Sequence, residues 1–221
     1  MIIVHHLNDS RSQRVLWLLE ELGVEYEVKR YERDARTRLA PPELRAIHPL
    51  GKSPVIQHDD VIVAETGAIV EYLLETFPDS GLKPAAGTAE ARRYTYWLHY
   101  AEGSAMTPLL LKLIFGVIPQ RSPLLIRPIA RGISRKVGAA MIDPQIASHL
   151  GYWEAELNKS EWFAGDRFTA ADIMMSFPVE AAGSRAPYGS KMPKTKAFLE
   201  RIHARPEYQR ALQRGGPYAY A

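Results

Sequence analysis

Cysteine is absent from all 221 residues. The chain therefore forms no disulfide, offers no thiolate to a metal, and cannot perform thiol exchange with its own side chains. Any sulfur chemistry must arrive with a ligand. Long apolar runs are also missing: no stretch reads as the ~20 apolar residues of a bilayer span, so stable membrane insertion is not expected. Met1-Ile2-Ile3-Val4-His5-His6 has no basic segment leading into an apolar one. No signal peptide is expected from that start, and the expected place of work is the cytoplasm.

Strong charge of one sign is lacking too. A net charge of +3 suits small anionic ligands but is weak ground for nucleic-acid binding. There is no His-Glu-x-x-His pattern and no Gly-x-Ser-x-Gly elbow. Gly51-Lys52-Ser53 resembles the end of a phosphate loop, but Ala46 stands where that loop needs a glycine. His5 and His6 are strand neighbours pointing to opposite faces, and the other histidines are scattered, so no metal site is expected.

What is present reads as two units. Ile2–Leu7 is β-branched and apolar, a short buried strand. Asn8-Asp9-Ser10 is loop and capping chemistry. Val15, Leu18, Leu19 and Leu22 follow helical spacing up to Gly23, and Tyr26–Tyr31 alternates as a second strand. A helix between two strands implies a parallel, right-handed crossover. A short helical turn follows Pro41-Pro42. Val55–His58 and Val61–Val63 flank Asp59-Asp60 as a hairpin, and a helix opens at Glu65-Thr66 and stops at Pro78. The expected division is 1–78 as a mixed α/β domain, 79–87 as linker and 88–221 as an all-helical domain.

In the second unit, Thr88–Phe115 is expected as one long helix bent near Pro108. Gln120–Lys136 reads as a proline-interrupted basic stretch, a connector or lid, and the weaker alternative is contact with a membrane surface or an acidic partner. Pro144–Leu157 is helical with Asp143 as N-cap. Ala171–Val179, Pro193–Ala204 and Pro206–Arg214 complete the set. Thr169 and Asp172 have the spacing of a capping box, and Phe168 with Ile173 makes a hydrophobic staple.

Three places carry chemistry. Ser53-Pro54-Val55 puts a proline before a strand, where a turn would aim the Val55 backbone outward to pair with an extended peptide. Glu65-Thr66 joins an acid, a hydroxyl and the free N–H groups of a helix start, a cradle for the zwitterionic end of an amino acid. The Asn8–Arg14 loop lies between strand and helix, where Ser10 could donate to a bound thiolate. An unshifted thiol of pKa ~8.5 is only ~3% ionised at neutral pH, and lowering it ~2 units takes ~2.7 kcal/mol. One hydrogen bond to a charged group contributes ~1.5–3 kcal/mol. One hydroxyl beside a helix start is therefore enough, without a general base.

Five motifs in order resemble the cytosolic glutathione transferase family over nearly the whole chain. They are Ser10–Gly23, Pro41-Pro42-Glu43-Leu44, His48-Pro49-Leu50-Gly51-Lys52-Ser53-Pro54-Val55 with Glu65-Thr66, Phe163–Ile173, and His203–Tyr208. The nearest pattern is a bacterial and fungal branch, here with a serine-type N-terminal motif. The resemblance implies a thioredoxin-like N-terminal domain, an all-helical C-terminal domain and a homodimer. It implies glutathione as co-substrate, held by Lys52 (glycine carboxylate), Val55 (cysteinyl backbone), Glu65 and Thr66 (γ-glutamyl end), with Ser53 also among the binding residues. Ser10 takes the position of the thiolate-stabilising serine, with Asn8, Ser12 and Arg14 as alternatives. A small apolar electrophile is expected against the long helix, at Tyr100, Met106 and Leu110. Conjugation is the leading activity; glutathione-dependent disulfide or peroxide reduction, or ligand binding without catalysis, are the alternatives.

Overall fold

The computed structural model describes residues 1–37, 39–185, 188 and 191–220. Strand β1 (Ile2–Leu7) runs through the middle of a four-stranded sheet of order β2-β1-β3-β4. It pairs in parallel with β2 (Tyr26–Tyr31) from Ile2↔Tyr26 to Leu7↔Tyr31. Helix α1 (Gln13–Leu22) makes the crossover between them and ends at Gly23, whose φ of 65° is the left-handed conformation a glycine adopts at little cost. After the short α2 (Glu43–Ile47), β3 (Val55–His58) lies antiparallel to β1, and β4 (Val61–Ala64) is its hairpin partner. Helix α3 (Thr66–Thr76) then covers the sheet.

Beyond residue 78 the described residues contain no strand. Helix α4 (Ala89–Tyr100) continues through a π-helical segment, Ala101–Ala105, into α5 (Met106–Arg121). The departure from regular α-geometry thus falls just before Pro108 rather than at it. Proline cannot donate, and its ring crowds the carbonyl four residues earlier. Wider turns accommodate both, and the Thr107 hydroxyl donates to the Gly103 carbonyl at 3.0 Å. The sequence expectation about apolar runs also needs correction. Taken as one, Ala89–Arg121 is long and apolar enough to cross a membrane by length and composition alone.

The basic stretch contains a helix instead of a plain connector: α6 (Arg127–Val137) runs through a second π-helical segment, Gly138–Ile142, into α7 (Asp143–Lys159). Asp143 is therefore no N-cap. Its carboxylate instead receives Lys112 Nζ at 2.6 Å. Helix α8 (Ala170–Arg185) passes Pro178 and outruns the expected end at Val179. Ala181 and Ala182 are fully buried there, so packing outweighs the hydrogen bond proline removes. Its start is as expected: Asp172 accepts from the Phe163 and Thr169 N–H groups, both at 2.9 Å, and Thr169 Oγ1 accepts from Ala171 N–H at 3.3 Å. Helices α9 (Pro193–His203) and α10 (Pro206–Gly215) follow.

The sheet unit and the helices share one hydrophobic core. Trp17 of α1 packs on Phe168 and Tyr208, ring centroids 5.7 and 5.1 Å apart. Around that contact Glu21 takes Arg205 Nε at 2.6 Å and Nη2 at 2.7 Å, and Glu20 takes Arg210 Nε at 2.9 Å. These contacts hold α1 against α10 and the segment that leads into α8. The candidate site lies at the other, N-terminal end of α1.

Candidate functional site

Three segments meet at one end of the sheet. The turn before β3 holds the cis Ser53–Pro54 peptide bond. Ser53 Oγ donates to the His5 carbonyl at 2.8 Å and accepts from Leu7 N–H at 3.2 Å, which ties the turn to the end of β1. Val55 follows at the first paired position of β3, opposite His5 and Ala64. Lys52 is exposed and makes no ion pair among the described residues.

The start of α3 is joined to the same end through Arg14. This arginine, 1% exposed, donates to the Met174 carbonyl at 2.8 Å, to Thr66 Oγ1 at 3.3 Å, and to Glu102. Arg11 reaches the other Glu102 oxygen at 2.7 Å. Burial alone would raise the Glu102 carboxyl, but Arg14 and Arg11 outweigh it and hold the group below its ordinary value. Thr66 is buried, and Glu65 beside it is exposed with φ 73° and ψ 127°. A non-glycine residue at positive φ stores backbone strain, which is commonest where a ligand is gripped.

The β1–α1 loop carries a chain of hydroxyls. Ser10 Oγ lies 2.6 Å from Ser12 Oγ, which lies 2.8 Å from His6 Nδ1. Burial, then the neighbouring Arg30, push His6 down to about 4, so the ring is neutral at physiological pH. A backbone hydrogen bond to Gly215 opposes that shift. Ser10, Ser12 and His6 thus form one buried hydrogen-bonded chain, and Ser12 Oγ also donates to the Leu7 carbonyl at 3.4 Å. Ser10 is 4% exposed, and its oxygen also accepts from Ser12 N–H at 3.2 Å. Where Ser10 donates to Ser12, turning its proton to a thiolate gives up a neutral hydrogen bond of ~1 kcal/mol for a charged one of ~1.5–3 kcal/mol, a favourable exchange. Asn8 is engaged elsewhere, accepting from Arg33 N–H at 2.9 Å.

The three expected electrophile contacts are not brought together. Tyr100 is buried among the helices, where its hydroxyl meets His149 Nδ1 and accepts from Trp153 Nε1 at 3.0 Å. Met106 is 5% exposed, whereas Leu110 is 46% exposed. An open cleft of about 640 Å³ begins one turn further on, lined by Leu113, Ile114, Val117 and Ile118 with Thr37 and Tyr220. Tyr220 is brought there by the tail after α10. Tyr218 donates to Glu180 at 2.7 Å, Ala219 N–H donates to Asp9 at 3.0 Å, and Tyr220 packs on Phe177 at 5.3 Å.

Sequence reasoning missed several of these residues. Apolar spacing past Phe115 could have extended the cleft to Val117 and Ile118. No local signal pointed to Tyr220, Arg11 or the buried Glu180, which also accepts from Tyr208 at 2.6 Å and meets His203 at 3.1 Å. Among the described residues no cluster of His, Cys, Asp or Glu could hold a metal ion.

A thioredoxin-like sheet unit fused to an all-helical unit is the architecture of a class of thiol-peptide-dependent proteins. Residues 1–75 match the family described as glutathione S-transferase, N-terminal domain, and residues 118–206 match its C-terminal domain. Glutathione S-transferase 3 of Schizosaccharomyces pombe is 35% identical over 97% of this chain and 88% of its own length. Glutathione S-transferase 1 of Saccharomyces cerevisiae is 36% identical over 96% and 97%. Among solved structures, a glutathione S-transferase from Actinobacillus pleuropneumoniae superposes with a TM-score of 0.79 at 30% identity, covering 100% of this chain and 95% of that one. The chain belongs to the glutathione transferase family.

Proposed function

We propose that this glutathione transferase binds glutathione along the end of the sheet and ionises its thiol for attack on a small apolar electrophile. The γ-glutamyl end lies at Glu65 and Thr66, the cysteinyl backbone at Val55 beside Ser53, and the glycine carboxylate at Lys52. Ser10 is the sulfur contact, and Ser12 orients it. The electrophile enters the cleft at Leu113, Ile114, Val117 and Tyr220, with Leu110 at its edge. Residues 1–78 form the glutathione domain, 79–87 the linker and 88–221 the helical domain.

One observation carries this reading. The Ser10 loop, the Ser53 turn and the Thr66 helix start are tied to one another through Ser53 and Arg14 at a single end of the sheet, next to the apolar cleft. Ser10→Ala should leave glutathione affinity within about twofold, raise the pKa of the bound thiol, and slow conjugation of an aryl halide roughly 10- to 100-fold. Unchanged turnover rules Ser10 out. Assaying a disulfide and a peroxide beside the aryl halide separates conjugation from reduction.

The working form is proposed to be a homodimer in the cytoplasm, a compartment rich in glutathione, with detoxification as its role. Sedimentation should return about twice the 24.9 kDa of the chain; a single-chain mass refutes the dimer.

A further inference from the structure

The glutathione site leaves the distal half of α5 and the whole of α6 unexplained. From Leu113 to Ile142 no residue is acidic, while Arg121, Arg127, Arg131, Arg135 and Lys136 all fall there. These five cations exceed the surplus of +3 for the entire chain, so the remainder carries more acids than bases. None of the five has a carboxylate partner among the described residues, whereas nearby Lys112 is paired with Asp143.

The same corner exposes its apolar side chains. α6 has no buried residue, and Val137 at its end is its partly buried contact with the core, which leaves the amphipathic pattern of Ile129 and Ile133 unaccounted for. Ile129 and Ile133, one turn apart, are 65% and 56% exposed, and Leu124 and Leu125 at the tip are 76% and 93% exposed. Arg127, Arg131 and Arg135 follow one another at four-residue spacing and line a groove of about 540 Å³ against Phe115. Within it Arg127 Nε and Ser134 Oγ are buried without a hydrogen-bond partner. Donors left unpaired among cations call for an anion.

We propose that the α5–α6 corner is a docking surface for an anionic lipid bilayer. The tip Leu124-Leu125-Ile126, with Ile129 and Ile133, beds into the boundary between headgroups and acyl chains, and Arg127, Arg131 and Arg135 take lipid phosphates. Arginine stems lie along apolar surface while their heads reach the phosphates. The contact is peripheral rather than spanning. The first half of the long helix is held in the protein by buried Tyr94 and Trp97 and by the Glu102 pairs with Arg11 and Arg14. A symmetric contact between two copies of this corner would set five cations against five with no acid between them, which favours lipid over a second chain as the occupant.

The test is co-sedimentation of the full chain with phosphatidylcholine vesicles, with and without a share of phosphatidylserine. Binding should be at least about tenfold tighter to the anionic vesicles and should weaken with salt. Arg131→Gln with Arg135→Gln should weaken it on the order of 25-fold, at about fivefold per charge. Leu124→Asp with Leu125→Asp should abolish it. Both leucines are largely solvent-exposed, so these variants should fold and bind glutathione as the parent does, which keeps this test separate from the glutathione reading. No binding, equal binding to both vesicle types, or parental binding by the leucine variants overturns the proposal. So does a fall in sedimenting mass caused by the leucine changes without any vesicle binding, which would assign the corner to a second copy of the chain.

Discussion

At the scale of single residues the site is a set of pairings, and a pairing is worth what its loss leaves exposed. Arg14 illustrates this: its guanidinium is shared among the Met174 carbonyl, Thr66 and Glu102, so one side chain positions the helix start while its charge is matched. His6 stands at the buried end of the hydroxyl chain. Burial, the larger cause, and Arg30 hold it at about 4 against an ordinary 6.5. The unfolded chain therefore binds this proton more tightly than the folded one. The stability that follows is fully present above about pH 6.5 and is lost as the pH falls toward 4, on the order of 3 kcal/mol in all. Urea unfolding from neutral to acid pH should show this loss, and His6→Asn, which keeps a hydrogen-bonding group for Ser12 but cannot be protonated in this range, should flatten it. An unchanged slope in the variant would assign the acid sensitivity to other groups.

At the scale of elements, most of the framework was legible in the residues. Period-two alternation, the Gly23 stop, the Asp59 hairpin and the Thr169–Asp172 start of α8 are local devices, and local chemistry determines them. The misses have a common cause. No new helix begins at Asp143 and none ends at Val179, because a π-helical turn in the first case and buried neighbours in the second supplied what those positions lacked. Capping logic finds where a helix can begin, but it does not see a preceding helix that continues into it. Likewise the basic stretch reads as loop by its prolines, and it folds as α6 because Pro128 sits in the first turn, where no N–H is needed.

At the scale of the whole molecule, the apolar cleft is built from residues 37, 113–123 and 220, which no window of sequence brings together. Its aromatic wall depends on the tail being held at Glu180 and Asp9. Tyr220→Ala should raise KM for an apolar electrophile roughly three- to tenfold and leave KM for glutathione within about twofold, since the tyrosine lies on the cleft side only. Steady-state kinetics with each substrate varied in turn checks this. Equal KM values in parent and variant would remove the tail from the cleft.

The sheet unit and its order of elements were legible from the residues alone. Ser10, Ser53, Val55 and Glu65-Thr66 sit at strand ends and helix starts, and these are set by neighbours a few residues away. It took the tertiary structure to show that Ser10, Ser12 and His6 form one buried chain, that Arg14 and Arg11 close on Glu102, and that Tyr100 belongs to the core while Tyr220 reaches the cleft. Most of those contacts join residues dozens of positions apart in the chain. Packing of the two units selects them, and no local propensity encodes that.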